Sequence, residues 1–167
     1  MAIEYDLTLE GKELTEEILL EEMKKLGLEA GEPERYNNTI NISKFMDTLG
    51  FIIYLTTNNR QPPRDATDYV CLEKEFKYGK RLSFRWDSAF ERREIQYEYM
   101  FAIIFAVMNR VKTNAVFTFT MGEEYCVFTK NRELYINTQS GIDKNPYFMR
   151  HTGGWKLRDM GDGKIEL

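Results

Sequence analysis

Acid–base chemistry in this sequence has one histidine and twenty-seven carboxylates to draw on. His151 stands in a Gly-rich aromatic stretch, and Ser140 or Cys126 can be written beside it as a nucleophile. A nucleophile–His–acid relay needs a base held in place by a third group, and no spacing here supplies one. A lone histidine in such company reads as structural or solvent-facing. Two facing carboxylates hydrolyse glycosides, but nothing in the pattern singles out a pair. Cys71 and Cys126 lie apart in hydrophobic, strand-like surroundings without metal-ligand spacing, and read as buried free thiols of a reducing compartment. Asp159, Asp162 and Glu166 lack calcium-loop order. Gly153-Gly154 and Gly161-Asp162-Gly163 do not sit between a strand and a helix start, where a phosphate loop belongs. No catalytic residue, metal ligand or cofactor is assigned.

Charge is the more informative chemistry. The formal net charge is −4 at pH 7, but residues 1–34 hold eleven carboxylates against three lysines, a balance of −8. The rest of the chain carries +4. An acidic surface near the N-terminus argues against nucleic-acid binding there and suits a basic partner; a plain solvated helix face is the competing reading. Arg81, Arg85, Arg92 and Arg93, interleaved with Phe84 and Trp86, have the basic-plus-aromatic texture of a single-strand groove. Asp87, Glu91 and Glu94 dilute that patch, and the aromatics read more simply as core. No nucleic-acid partner is expected.

The elements that position these groups follow from periodicity. Ile3, Tyr5, Leu7 and Leu9 alternate with polar residues, which predicts a half-buried strand. Thr15 can cap a helix running to about Leu26, with Leu14 and Leu19 as a hydrophobic staple and Gly27 ending it. Leu19, Met23 and Leu26 form its inner stripe. Glu17 and Glu21 face water, with Glu13 and Glu16 near the start of the helix. Residues 30–38 read as a loop, Thr39-Ile40-Asn41-Ile42 as a short strand, and residues 49–57 as a central strand covered on both faces. Residues 58–65 read as an exposed loop.

A stretch from Asp87 to Val111 organises the rest. Ser88 and Glu91 have capping-box spacing, so the helix is predicted to open at Ser88. Its second half, residues 99–108, is apolar almost all round and must be covered on more than one side. Ten apolar residues are half of what a bilayer-spanning helix needs, about 20, so no membrane span is expected. Residues 81–86 alternate and feed this helix. Three strand signals follow, at residues 115–120, 124–129 and 134–137, joined through Met121-Gly122-Glu123 and Lys130-Asn131-Arg132 as a β-meander. The order is β-α-β(n)-α-β-β-β, an α+β fold with a largely antiparallel sheet and two main helices packed on one side. The expectation is a single domain over residues 1–167, with residues 1–137 as its core and an aromatic, Gly-rich segment, 138–167, packed on it.

The opening Ala2-Ile3-Glu4-Tyr5-Asp6-Leu7 before a Leu-rich acidic helix carries a resemblance. So do the later strings Asn114-Ala115-Val116-Phe117-Thr118-Phe119, Glu124-Tyr125-Cys126-Val127-Phe128 and Leu134-Tyr135-Ile136-Asn137. In order and texture the chain resembles the small immunity proteins of bacterial polymorphic-toxin systems, in particular the swarming-inhibition immunity type. The resemblance spans roughly residues 2–28 and 81–137. It implies a non-enzymatic cytoplasmic protein that binds and neutralises a cognate protein toxin. It transfers no residue roles and leaves the oligomeric state open. From the charge and the aromatics, Glu13, Glu16, Glu17 and Glu21 are the candidate partner-binding acids, with Tyr147, Phe148 and Trp155 as alternative aromatic anchors. Two other readings stand beside it: a small hydrolase-type enzyme with a carboxylate site, and a protein-interaction module using exposed aromatics of the tail.

Overall fold

Alternating side chains need a sheet with one face on a core, and the chain builds a large one. The computed structural model describes residues 3–120, 122–161 and 163–167. Strand β1 (Ile3–Leu9) leads into helix α1 (Glu16–Lys25), whose N-cap Thr15 accepts the Ile18 N–H at 3.2 Å. Gly27, at φ +81°, ends that helix as its position predicts. Then come β2 (Glu34–Tyr36), β3 (Thr39–Ile42), the single-turn helix α2 (Met46–Leu49) and β4 (Phe51–Thr57). A polar excursion holds the short strands β5 (Ala66–Thr67) and β6 (Phe76–Lys77), which pair with each other. Strand β7 (Lys80–Trp86) precedes the long helix α3 (Arg93–Arg110). The meander follows as β8 (Ala115–Phe119), β9 (Glu124–Phe128) and β10 (Glu133–Ile136). The tail adds helix α4 (Pro146–Met149) and strand β11 (Lys156–Asp159).

Nine strands form one sheet in the order β11-β10-β9-β8-β1-β7-β4-β3-β2. Every pairing is antiparallel except β10 with β11. This is the α+β class the sequence predicts. One alternation set faces the helices: Tyr5, Leu7 and Leu9 on β1, Leu82, Phe84 and Trp86 on β7, Phe51, Ile53 and Leu55 on β4, and Ala115 and Phe117 on β8. Against it lie Leu19 and Met23 of α1 and nearly all of the second half of α3. The opposite face has a smaller cluster, where Cys71, Leu72, Phe76 and Ile165 cover Val116 and Val127. That cover stops at the meander side.

The structure corrects several local expectations. Helix α3 opens at Arg93, without a side-chain cap, five residues after Ser88. Asp87 closes its own turn by accepting the Ala89 N–H at 2.9 Å, and the Ser88 carbonyl is taken by the Arg93 guanidinium at 3.0 Å. The buried Gln96 donates to the carbonyls of Gly50 (2.8 Å) and Asp87 (3.2 Å), which locks the segment in that path. Gly50 is at φ +75°, and a Cβ there would lie 2.5 Å from the Phe90 ring. Residues 46–49 are helical, so β4 begins at Phe51, and its cover is one-sided: Phe51, Ile53 and Leu55 are buried while Ile52, Tyr54 and Thr56 are only half-buried. Its apolar residues fall on both faces, which made it read as buried twice. Leu26 is 36% exposed, because it caps α1 and no longer follows the inner stripe. The supposed loop at 30–38 contains β2, a short polar edge strand. Of the turn Met121-Gly122-Glu123, Met121 lies outside the described residues, as do Ala2 of the opening string and Asp162 of the calcium-loop comparison.

Candidate functional site

The acidic residues of α1 are less free than their sequence suggests. The Glu13 carboxylate accepts the Lys112 N–H at 3.1 Å. Glu16 pairs with Arg35 of β2, which also holds Glu32 at 2.9 Å. Glu21 pairs with Arg110 at the end of α3, also at 2.9 Å. Glu22, not among the predicted acids, is 8% exposed and lies 2.9 Å from Lys25. Only Glu17 of the four candidates is exposed with no hydrogen-bond or ion-pair partner among the described residues. Solvent screens these exposed pairs, so they orient α1 more than they hold it. The face they leave is a shallow open depression of about 400 Å³ lined by Glu16, Glu17, Leu20, Glu21 and Lys24.

The tail aromatics divide. Phe148 is 1% exposed and meets Phe101 and Phe105 edge-on at 5.4 and 5.3 Å. Trp155 is 6% exposed, packs on Phe128 at 5.1 Å, and its indole N–H donates to Asn109 Oδ1 at 3.2 Å. Both belong to the chain's own core and offer no surface to a partner, contrary to the expectation. The reason is α3 itself: a helix apolar all round needs a second cover, and α4 with Trp155 supplies it. Tyr147 is half-buried, with the Arg150 guanidinium 4.9 Å from its ring centre, and it alone of the three reaches the surface.

The groups that could be written as a relay stay separate. His151 stacks on Phe105 at 5.4 Å, and burial together with Arg150 holds its pKa below the ordinary value. Ser140 donates its hydroxyl to the Asn137 carbonyl at 2.6 Å. Cys71 and Cys126 are buried free thiols; burial pushes the Cys71 pKa up to about 12 and that of Cys126 well above its usual range. Among the described residues no three His, Cys, Asp or Glu side chains gather as a metal site, and no helix is long and apolar enough to cross a membrane.

A third region was not singled out from sequence. On the helix-free face, the rows run across strands as Glu4–Arg85–Ile52, Asp6–Ser83–Tyr54 and Thr8–Arg81–Thr56. The uncovered half of this face is an open polar trough of about 730 Å³, walled by Arg60 of the loop after β4 and by Tyr78. Ser83 donates to Asp6 Oδ1 at 2.5 Å, so that carboxylate is held in place. Burial, and then the neighbouring Asp6, raise the Glu4 pKa against the opposing pull of Arg85 and Arg81. The Arg81 guanidinium lies 4.9 Å from the centre of the Tyr78 ring. The alternation Arg81-x-Ser83-x-Arg85 was the available signal. It also undoes the basic-plus-aromatic groove, because Phe84 and Trp86 point to the opposite, helix-covered face. Arg92 pairs with Glu94 at 3.4 Å and Arg93 sits 5.8 Å from the Trp86 ring, so neither lines the trough.

The structure thus has two candidate surfaces, an acidic helix face and an arginine-lined sheet face. Comparison with curated proteins and with solved structures finds no match. A family model described as SitI3-like matches residues 3–145, well over half of the sequence and every element from β1 to β10, and the chain belongs to that SitI3-like family.

Proposed function

We propose that this protein is an immunity protein that binds a cognate toxin domain in the cytoplasm and neutralises it without catalysis of its own. The observation that carries this reading is the SitI3-like family match across residues 3–145. Physical features support it. The core is dense with aromatic side chains and gives a rigid body, and the exposed acids of α1 give a field that would steer a basic toxin surface. Glu17 and Glu21, with Glu13 and Glu16 beside them and Tyr147 as an aromatic contact, are the proposed partner-facing residues. Charges at such a surface chiefly set encounter rate and specificity.

The test is co-expression with the toxin candidate encoded next to this protein, followed by titration of the purified pair. Protection of the cells and a stable complex are the expected results; no binding and no protection would sink the reading. Glu17→Lys, at a carboxylate with no partner among the described residues, should leave thermal unfolding unchanged, slow association and weaken its salt dependence. Adding Glu21→Lys places a lysine beside Arg110 and should deepen the effect on association. If neither variant changes association rate or salt slope, the acids of α1 only solvate the helix.

A further inference from the structure

The geometry points to the arginine-lined trough on the helix-free face as a docking groove for an extended, acidic segment of a partner protein. The inference rests on the immunity reading only for the identity of that partner.

Strand periodicity builds the groove. On β7, Leu82, Phe84 and Trp86 are committed to the core, so Arg81, Ser83 and Arg85 must emerge together on the other side. That face is covered over the meander but open over β1, β7, β4 and β3. Five arginines elsewhere, Arg35, Arg92, Arg110, Arg150 and Arg158, have a carboxylate within 4.0 Å. Arg60, Arg81 and Arg85 have none among the described residues, as is also true of Arg64, Arg93 and Arg132 elsewhere, but these three converge on one trough, which Glu4 also lines. Arg81 Nε is buried there without a hydrogen-bond partner among the described residues. A guanidinium already partly stripped of water loses little more on binding an anion, and gains a charge-assisted, fork-shaped bond.

The spacing selects the ligand. Arg81 and Arg85 stand four residues apart on one strand, so their Cα atoms are about 13 Å apart. Two guanidiniums meet on one phosphate only by leaning toward each other, which the seat of Arg81 on Tyr78 opposes, whereas an extended peptide with carboxylates four residues apart repeats the spacing. Nucleic acid fits less well. Single strands rely on open aromatic platforms, and here the Tyr78 ring already carries Arg81 while Phe84 and Trp86 face the core. Glu4 on the floor also repels a continuous run of phosphates, but sits between the attachment points of a chain whose charges are spaced.

The probe is a fluorescein-labelled, threonine-rich peptide with glutamate at every fourth position, followed by anisotropy at low salt. Its glutamine counterpart, oligothymidylate and inorganic phosphate serve as competitors. The glutamate peptide should bind saturably and the glutamine peptide should not. The double variant R81Q/R85Q should weaken binding by about tenfold or more, consistent with the loss of charged hydrogen bonds. Arg60→Gln, on an exposed loop where folding is not at stake, should weaken it less, and Lys24→Gln on α1 should change nothing. Absence of saturable binding, or binding indifferent to all three arginines, overturns the groove. Tighter binding of oligothymidylate or phosphate with the same variant sensitivity overturns the peptide assignment. If the glutamate peptide binds but the toxin candidate neither binds nor protects, the groove stands and the immunity reading falls. If the toxin candidate protects and binds equally well with R81Q/R85Q, the groove falls and the immunity reading stands.

Discussion

The two faces of strand β7 carry opposite chemistry on the same seven residues. One side presents Leu82, Phe84 and Trp86 to α3, all buried, with Trp86 against Tyr5 at 4.9 Å and Tyr97 at 4.8 Å. The other presents Arg81, Ser83 and Arg85 to an open trough. Burial of apolar area stabilises the first by roughly 1.5–3 kcal/mol per large side chain. The second takes no part in that apolar burial, which leaves its arginines available for recognition. Fold and binding surface are thereby separated by one step of the strand.

The sharpest way to break this comparison is to change the charge on each side. Ile104→Asp, under the helix-covered face, buries an unpaired carboxylate and should cost more than about 4 kcal/mol. Arg85→Gln, on the open side, should move stability by no more than about 0.5 kcal/mol. Urea unfolding of both variants decides it, and equal losses would mean that the open face is structural after all. A middle-sized effect tests the seam where β4 and β7 meet α3. Gln96→Ala removes one of the two donors from each of the Gly50 and Asp87 carbonyls, which keep the Asp87 and Phe90 N–H groups, and the loss of two hydrogen bonds should cost about 1–3 kcal/mol. A loss nearer zero would show water replacing the amide.

The smallest effect concerns Glu4. Its pKa is raised above 4.5 in the folded protein, first by burial, so the folded state holds this proton more tightly than the unfolded chain does. Stability from this group is therefore lost as pH rises from about 4.5 through the raised value. Glu4→Gln should match the parent below that window and exceed it above. A variant that is less stable at neutral pH would show Glu4 acting as an ion-pair partner of Arg85.

Much of this was readable from the sequence. Alternation located β1, β7 and the meander, and Thr15 with Gly27 bounded α1 correctly. The Ser88–Glu91 capping box failed because Asp87 and Gln96, the latter reaching the carbonyl of a residue 46 positions away, outcompeted it. Strands β2, β5, β6 and β11 are two to four residues long and polar or mixed; only their long-range partners define them. Phe148 and Trp155 read as anchors in the sequence because an aromatic tail looks the same whether it covers a helix or a partner. The trough was hidden for a related reason: its walls come from β1, β4, β7 and the loop at Arg60, which are neighbours only through strand order.

Strand β1 lies between β7 and β8, both made long after it. During synthesis it has no sheet neighbour until Lys80 emerges, and it gains its second only with residues up to Phe119. At about 5–20 residues per second, that leaves its Tyr5, Leu7 and Leu9 edge uncovered for on the order of ten seconds on the ribosome. A nascent chain of this topology is an early client for whatever shields hydrophobic strands. The centre of the sheet is therefore closed only when residues up to Phe119 have been made, and not by the first half of the chain.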